Sequence, residues 1–153
     1  SGIKEIEKAK KLLTFFSAII TGILIFVSGQ IFLKIFIEPV QELMRCLGQI
    51  RYCMEYHANI FCNPGVAVQA KMDQATDELR LNASKLQEAL YLVRFFSIWK
   101  IARLLPPKKN IEQVSSELIG LSNSVHSGTC GQNVNRRERI LNLISVNDES
   151  RRH

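Results

Sequence analysis

The residues best suited to chemistry in this chain are Arg51 and His57, which have five residues between them. An imidazole titrates near neutral pH and can transfer protons, while a guanidinium is a permanent cation that binds phosphate oxygens. Together the two groups suit acid–base cleavage of a phosphodiester. Arg51 also falls on the apolar face of its predicted helix, where a buried, paired arginine has a purely structural task. The pair is therefore a candidate catalytic site with a structural alternative.

Cysteine and histidine spacing gives only an incomplete metal site. Cys53 and His57 are one helical turn apart, and Cys62 follows five residues later. A zinc site usually takes four closely patterned ligands, and no fourth is visible in the sequence. Phosphate-binding glycine loops, dinucleotide fingerprints and serine-hydrolase elbows are also missing from the sequence. We therefore predict no metal, no cofactor and no small-molecule substrate.

These candidates follow a segment that predicts a membrane span. Leu12 to Leu33 is a run of 22 residues without a charged side chain, and a bilayer core needs about 20. Lys8, Lys10 and Lys11 precede the run and Lys34 follows it. A secretory signal peptide has a shorter apolar region and a small-residue cleavage site. The pattern favours a retained span in the lipid bilayer.

One side of this span is rich in small and hydroxyl residues. Such residues let helices approach closely in lipid, and their hydroxyls can bond across helices. The pattern predicts a homo-oligomer formed through this face, with a monomeric anchor as the alternative. If enough helices gather, the same face could line a pore. The oligomer-facing or pore-facing residues are Thr14, Ser17, Ala18, Thr21, Gly22, Ser28 and Gly29.

The length and composition leave room for one small domain beyond the span. The chain has 153 residues, of which 46% are apolar and 22% charged, which excludes a large multidomain enzyme and a broadly disordered chain. No run of alternating β-branched residues appears, so we predict an all-α fold. The predicted segments are an amphipathic N-terminal segment (1–11), a transmembrane helix (12–37), a helical domain (38–146) and a flexible tail (147–153).

The helical domain is predicted from apolar periodicity. One helix has Pro39 in its first turn, continues through the three cysteines and stops at Asn63-Pro64-Gly65. A polar loop at residues 127–133 precedes a short last helix from about Asn135. The intervening helix carries a heptad seam typical of a bundle. Its members are Met72, Thr76, Leu79, Ala83, Leu86, Leu90 and Val93.

Residues 92–105 combine aromatic and basic side chains. Leu92, Phe95, Phe96, Trp99 and Ala102 share one helical side, with basic residues elsewhere. This pattern is typical of a helix at a membrane interface. It is equally typical of a core helix whose cations extend to water, and we take the core helix as the prediction.

The basic residues and the cysteines give information about the membrane orientation and the cellular compartment of the helical domain. The net charge is +6, which suits RNA or anionic lipid, but the cations are scattered. Basic residues flank the span almost evenly, with a slight excess before it that favours a cytoplasmic N-terminus. Cys46, Cys53 and Cys62 lie too far apart on one predicted helix to form disulfides with each other, as in a reducing compartment. We predict a single-pass protein with a cytosolic C-terminal domain.

Two short stretches carry a family resemblance. The chain reads His57-Ala58-Asn59-Ile60 followed by Asn63-Pro64, and later Leu118-Ile119-Gly120-Leu121-Ser122-Asn123. These resemble "YANI..NP" and "LIGLSN" stretches of a broader set of bacterial proteins, with His57 in place of a tyrosine. The Arg-x5-His spacing is similar to the Arg-x4–6-His motif of HEPN ribonucleases, in which two motifs meet across a dimer.

The layout of span, helical domain and degenerate motif resembles the small membrane-anchored accessory proteins of RNA-targeting type VI-B CRISPR systems. That resemblance implies a HEPN-like domain and an oligomeric effector at the bacterial inner membrane. It implies anti-phage activity that perturbs the membrane of an infected cell, together with an RNA-guided nuclease or RNA. The first alternative is a membrane-tethered ribonuclease that uses Arg51 and His57. The second is a plain anchor or adaptor. We predict that the chain is not an enzyme, with the ribonuclease as the alternative.

Overall fold

The computed structural model describes residues 2–145, and these residues form helices and turns with no β-strand among them. The predicted all-α fold is confirmed. The predicted flexible tail, residues 147–153, lies outside the described residues. The helices are α1 (Gly2–Phe32), α2 (Glu38–Tyr56), α3 (Ala58–Cys62), α4 (Gln69–Leu92), α5 (Phe96–Ile101), α6 (Lys108–Ser124) and α7 (Cys130–Ile144), with a π-helical turn at Leu33–Ile37.

The chain divides into two compact units, with the boundary between Glu38 and Pro39. The first unit contains α1, which joins the predicted N-terminal segment and the predicted span in one helix. The helical stretch Gly2–Tyr56 contains an 18-residue window with a mean hydropathy of 2.2, long and apolar enough to cross a membrane. No residue of α1 is buried within the chain. One candidate span is therefore present, as predicted.

The second unit is a helical bundle with a single apolar core. Helix α4 packs on α6, α6 packs on α7, and the short α3 contacts both α7 and α4. Side chains from α2, α4 and α6 meet in the core, where Leu43, Leu79 and Leu118 are fully buried. Burying a leucine away from water stabilises a fold by about 1.5–3 kcal/mol. This core fixes the relative positions of α2 and α4, which carry the candidate site.

The predicted seam of α4 is confirmed. Every seam residue from Met72 to Leu90 is buried. Helix α4 ends at Leu92, so the last seam residue, Val93, lies outside the helix in an extended conformation and is half-buried. The heptad spacing thus identifies the core-facing side of α4 correctly.

Two predicted helix boundaries are wrong. The helix that begins near Pro39 does not continue to residue 62, because His57 leaves the helical conformation and α3 follows as a separate short helix that carries Cys62. The last helix begins at Cys130 rather than near Asn135. Thr129 accepts a hydrogen bond of 3.4 Å from the Gln132 backbone N–H, which is the N-cap arrangement that starts a helix.

The aromatic stretch after α4 is only partly a core element. Helix α4 ends at Leu92, because Val93 is extended. Phe95, with a left-handed φ of 52°, directly precedes the six-residue α5. Phe96 and Trp99 pack partly on the core. Leu92, Phe95 and Ala102 are exposed, so the predicted core helix is wrong for these residues.

Helix α7 closes the bundle by binding the end of α2. The Arg137 Nε donates a hydrogen bond of 2.9 Å to the Met54 carbonyl, and its guanidinium also pairs with Glu55. The last carbonyls of a helix have no partner within the helix. Arg137 therefore supplies a donor to a terminus that α2 cannot satisfy by itself.

Helices α6 and α7 are joined by a buried carboxylate. Glu117 is 7% exposed, and each of its two oxygens accepts a 2.7 Å hydrogen bond, one from Arg136 and one from Arg139. Burial alone raises the Glu117 pKa, but the hydrogen bonds and positive charges of Arg139 and Arg136 outweigh it, so that the pKa lies below its usual 4.5. Ionised Glu117 therefore stabilises the folded bundle.

Glu117→Gln is expected to lower the free energy of unfolding at pH 7 by about 1–3 kcal/mol, because charge-assisted hydrogen bonds are lost. A lowered pKa gives stability that is present above pH 4.5 and is lost as the pH falls through the folded-state pKa. The difference between wild type and variant should therefore shrink below that pH. The measurement is thermal unfolding of the detergent-solubilised full chain by circular dichroism.

The matched control for this experiment is Glu112→Gln on the same helix. Glu112 is exposed and its carboxylate lies 3.8 Å from the Lys108 ammonium, and exposed pairs of this kind contribute about 0–1 kcal/mol. Equal losses in the two variants, or a difference that grows on acidification, would contradict the role assigned to Glu117.

Candidate functional site

Three side chains with chemical potential meet where α2 ends against α4. Cys53 lies in the last turn of α2, and His57 follows it by one helical turn, which places both on the same side. Glu78 comes from α4, which the core holds alongside. The ligand-type atoms of these three side chains all lie within 4.8 Å of one another. We call this group the α2–α4 cluster.

His57 is held in this cluster by a direct hydrogen bond. The ring is 3% exposed, and its Nε2 lies 2.8 Å from Glu78 Oε2. Gln74 donates a hydrogen bond of 2.9 Å to the other oxygen, Oε1. Burial raises the pKa of Glu78, but the hydrogen bonds from His57 and Gln74 outweigh it and the pKa is lowered. The carboxylate is therefore ionised at neutral pH and fixed from two sides.

The Cys53 thiol is protonated at neutral pH. It is 2% exposed, and burial together with the negative charge of Glu78 raises its pKa to about 11, against a smaller opposing effect of a hydrogen bond with Asn82. Nucleophilic cysteines have lowered pKa values and partial exposure. Cys53 has the opposite properties, so the cluster in this form is not a thiol nucleophile.

Aromatic rings surround the imidazole. The Tyr56 ring meets His57 edge-on at a centroid distance of 4.8 Å, and the Phe61 ring lies 6.2 Å away. Tyr56 itself stacks on Tyr52 at 5.5 Å. These ring contacts contribute to the burial of His57.

The two predicted catalytic residues, Arg51 and His57, do not contact each other through a hydrogen bond or an ion pair within one chain. Arg51 is exposed, and no hydrogen bond or ion pair connects it to His57 or to another residue in the described range 2–145. The idea of a buried, paired arginine is therefore wrong. Six residues along a helix correspond to a rotation of about 120° away from the starting side. That spacing places Arg51 at the surface and His57 inside.

Sequence reasoning identified two members of the cluster and missed the third. Cys53 and His57 were recognisable from their spacing, whereas Cys62 lies on α3 and is not part of the group. Glu78 is 21 residues from His57 in the sequence, and only the packing of α4 against α2 brings it there. Its position one residue before a seam leucine, Leu79, was the available signal, since such residues lie at the margin of a helix interface.

The "LIGLSN" stretch on α6 has a packing role in this structure. Gly120 leaves room for the Arg136 guanidinium, whose nearest atom would lie 2.5 Å from an added Cβ. Arg80 of α4 donates hydrogen bonds of 3.4 Å to Ser122 Oγ and 3.3 Å to Asn123 Oδ1. The small and polar residues of this stretch therefore connect α6 to its two neighbours.

A second polar region lies beside that stretch. A cavity of about 450 Å³ is lined by residues of α4 and α6 together with His126. The His126 Nε2 is 3.4 Å from Asp73 Oδ1 and 3.4 Å from Thr76 Oγ1. Its lining residues Asp73, Asp77, Arg80 and His126 mix acidic and basic groups. The mixture gives the cavity no single charge preference, and its hydrogen bonds are those of helix packing.

An exposed apolar patch surrounds α5. The α5 patch comprises side chains that are 44–89% exposed and is bordered by exposed cations. Soluble domains rarely leave such side chains contiguous. The apolar members are Tyr91, Leu92, Phe95, Ile98, Ile101 and Leu104, and the cations are Arg94, Lys100 and Arg103.

His57→Ala should destabilise the bundle by about 2–4 kcal/mol, because it leaves a cavity and removes the partner of the Glu78 carboxylate. Arg51→Ala should change stability by less than about 0.5 kcal/mol, as exposed positions usually do. Thermal unfolding of the two full-length variants in detergent measures both effects. Similar stability losses in the two variants would contradict the placement described above.

Comparison of the chain with protein-family models, with curated proteins and with solved structures finds no match. The resemblance through the two short stretches therefore stays a prediction. The α2–α4 cluster, the α5 patch and the apolar helix α1 are the features from which a function can be argued.

Proposed function

We propose that the protein is a membrane-anchored effector that self-associates through α1 and contacts the bilayer surface through its helical domain. The observation that carries this proposal is the uncovered apolar surface of α1. Residues along it such as Phe15, Leu24 and Ile25 are 62%, 61% and 70% exposed. Each side chain of this kind gains about 1.5–3 kcal/mol on leaving water. Lipid provides that environment, and a helix satisfies its own backbone there.

The small-residue face of α1 supports self-association. Adding a Cβ at Gly22 or Gly29 would meet no atom within 4 Å, so this face is open to a neighbouring helix. Thr14 and Thr21 donate hydrogen bonds of 2.9 and 2.8 Å to carbonyls one turn earlier in the same helix. Their donors are thus satisfied without water. This favours a close helix–helix contact and makes a water-lined pore an extension of the proposal.

The α5 patch supports a second contact with the membrane. Ile98 and Ile101 are 59% and 83% exposed, and Arg94, Lys100 and Arg103 border them. Apolar side chains enter the headgroup region while cations meet anionic lipid, each cation contributing about 1 kcal/mol near such a surface. A bilayer is the occupant that matches both the apolar and the basic character of this surface.

The cellular setting of the proposal comes from the resemblance to type VI-B accessory proteins. In that setting the effector is in the bacterial inner membrane and perturbs it during anti-phage defence, alongside an RNA-guided nuclease. The thiols support a cytosolic helical domain: Cys46, Cys53, Cys62 and Cys130 are all free. Free cysteines are typical of a reducing compartment.

The ribonuclease alternative has weaker support. Its proposed base, His57, is 3% exposed and bonded to Glu78, whereas a general base must reach the proton that it removes. Because His57→Ala is expected to disturb the fold, loss of cleavage in that variant would not identify a catalyst. Arg51→Ala is the cleaner test of RNA cleavage, since Arg51 is exposed.

Gly22→Leu is expected to shift the full chain from an oligomer to smaller particles, because the added bulk separates the small-residue faces. The measurement is the protein mass of the particle by light scattering during size exclusion in mild detergent. Val27→Leu is the matched control, since it adds bulk on the side of α1 opposite to the small residues. A monomeric wild type, or equal shifts in both variants, would contradict self-association through this face.

Trp99 is the only tryptophan in the chain and lies in α5, so its fluorescence reports on the α5 patch. In proteoliposomes that contain anionic lipid, quenchers attached near the headgroups should reduce its emission at least about 2-fold, because interfacial helices insert about 5–10 Å. Ile98→Glu should abolish most of this quenching. Val66→Glu, a change at an 81% exposed position in a turn, should leave it unchanged. Unquenched Trp99 in the wild type would contradict the surface contact.

A further inference from the structure

The α2–α4 cluster combines three different metal-ligand types in one buried place. Cys53 offers sulfur, His57 offers a ring nitrogen and Glu78 offers a carboxylate oxygen, all within 4.8 Å of one another. Cys53 and His57 are buried and Glu78 is half-buried. Such a group differs from the exposed acidic clusters that are common on protein surfaces, because two of its members are buried and its three donor atoms are of different types.

The distances are close to those of a tetrahedral metal site. Zinc bonds are about 2.3 Å to sulfur and about 2.0–2.2 Å to nitrogen or oxygen, so two ligand atoms on one ion lie about 3.3–3.6 Å apart. The largest separation in the cluster, at most 4.8 Å, must shorten by about 1 Å to reach this geometry. The His57–Glu78 contact of 2.8 Å must open by about 0.5 Å. Both changes are within the reach of small side-chain rotations.

The charges favour a divalent cation. Cys53 and Glu78 are both acidic groups, and their ligand atoms lie within 4.8 Å of each other in the α2–α4 cluster. Replacement of the thiol proton by a divalent ion makes the thiolate–carboxylate–metal group neutral overall. The proton leaves to solvent when the thiolate coordinates, as is usual for cysteine sites. A cation thus removes the repulsion that the two acidic groups would otherwise have.

A neighbouring side chain holds one of the ligands in orientation. Gln74 donates its hydrogen bond of 2.9 Å to Glu78 Oε1, while Oε2 is the oxygen that faces His57. Supporting hydrogen bonds of this kind accompany most metal ligands in proteins. The cluster therefore has an outer layer of support as well as three donors.

We propose that Cys53, His57 and Glu78 bind one divalent transition-metal ion, with Zn²⁺ as the occupant, and that water fills the fourth position. Thiolate and imidazole select such ions over Ca²⁺ and Mg²⁺, which prefer sets of oxygen ligands. Within residues 2–145 no further His, Cys, Asp or Glu joins this group, so three protein ligands are assigned. The ion links the end of α2 to α4. This site is independent of the proposed membrane function.

The test uses the tag-free, reduced full chain in detergent and Co²⁺ as a spectroscopic probe. The working background is the double variant Cys62→Ser with Cys130→Ser, because Cys130 is exposed and Cys62 is half-buried and neither belongs to the cluster. Titration with Co²⁺ should saturate at one ion per chain. It should give a thiolate-to-cobalt charge-transfer band and intense visible bands of tetrahedral cobalt, which Zn²⁺ then abolishes.

Single changes in this background identify the ligands. Cys53→Ser should remove the charge-transfer band, since serine supplies no thiolate. Glu78→Gln should keep that band but weaken Co²⁺ binding at least about 10-fold, because the amide retains size and hydrogen bonding and loses the charge. Cys46→Ser is the matched control for a buried cysteine of α2 outside the cluster, and it should bind Co²⁺ as the background does.

A second readout keeps the test decisive if Cys53→Ser fails to fold. Zn²⁺ at 100 times its dissociation constant raises stability about 100-fold in the folding equilibrium, so it should raise the Tm of the background protein clearly and that of Glu78→Gln much less. Lack of a charge-transfer band in the background protein overturns the proposal. So does a band that survives Cys53→Ser, or an equal rise in Tm for background and Glu78→Gln.

Discussion

Burial of the α4 seam is the interaction on which the helical domain depends. The seam packs on α6, and α6 in turn packs on α7. The position of α7 therefore depends on the contact between α4 and α6. The same burial decides what the other residues of α4 can do. Glu78 lies next to the buried Leu79 and is directed to the end of α2, while Arg80 on the other side reaches α6. A single apolar stripe therefore sets the positions of the polar contacts on both of its margins.

The elements whose signal is local periodicity could be predicted from the sequence. The α1 span and the α4 seam each repeat one physical pattern over many residues, and a pattern of that length is difficult to imitate by chance. The boundaries at His57, Phe95 and Thr129 were missed or misplaced. At Phe95 the chain adopts a left-handed conformation although neither glycine nor asparagine is present to favour it, so residue propensity does not predict the break before α5.

The candidate site was only half predictable for a different reason. Spacing along one helix relates Cys53 to His57, but Glu78 enters through the packing of a second helix. The distance between side chains on different helices is set by the core packing of those helices, and a short sequence motif does not contain that information. Arg51 shows the reverse error: its spacing from His57 fits a known motif, yet Arg51 is exposed on α2 and His57 is buried just after the end of that helix. A sequence spacing predicts a shared site only if the rotation of about 100° per helical residue also places both side chains on the same side.

The two membrane-compatible surfaces differ in kind. Helix α1 is apolar along a length that suits the bilayer interior, and the hydroxyl groups of Thr14 and Thr21 are bonded within the helix. The α5 patch is short and bordered by cations, which suits the headgroup region. An apolar core helix would have hidden these residues, but the chain leaves the helical conformation between α4 and α5 and these side chains are exposed.

The hydrogen bond from Arg137 to the Met54 carbonyl also sets an order of events during synthesis. Helices α1 to α6 all precede α7 in the sequence and are synthesised before it. The Met54 carbonyl at the end of α2 receives its hydrogen bond from Arg137, which lies 83 residues later in the sequence. Until that donor emerges, His57 and its neighbours lie at an unfinished helix terminus. The contact of α7 with the end of α2 therefore forms only after residue 137 has been added.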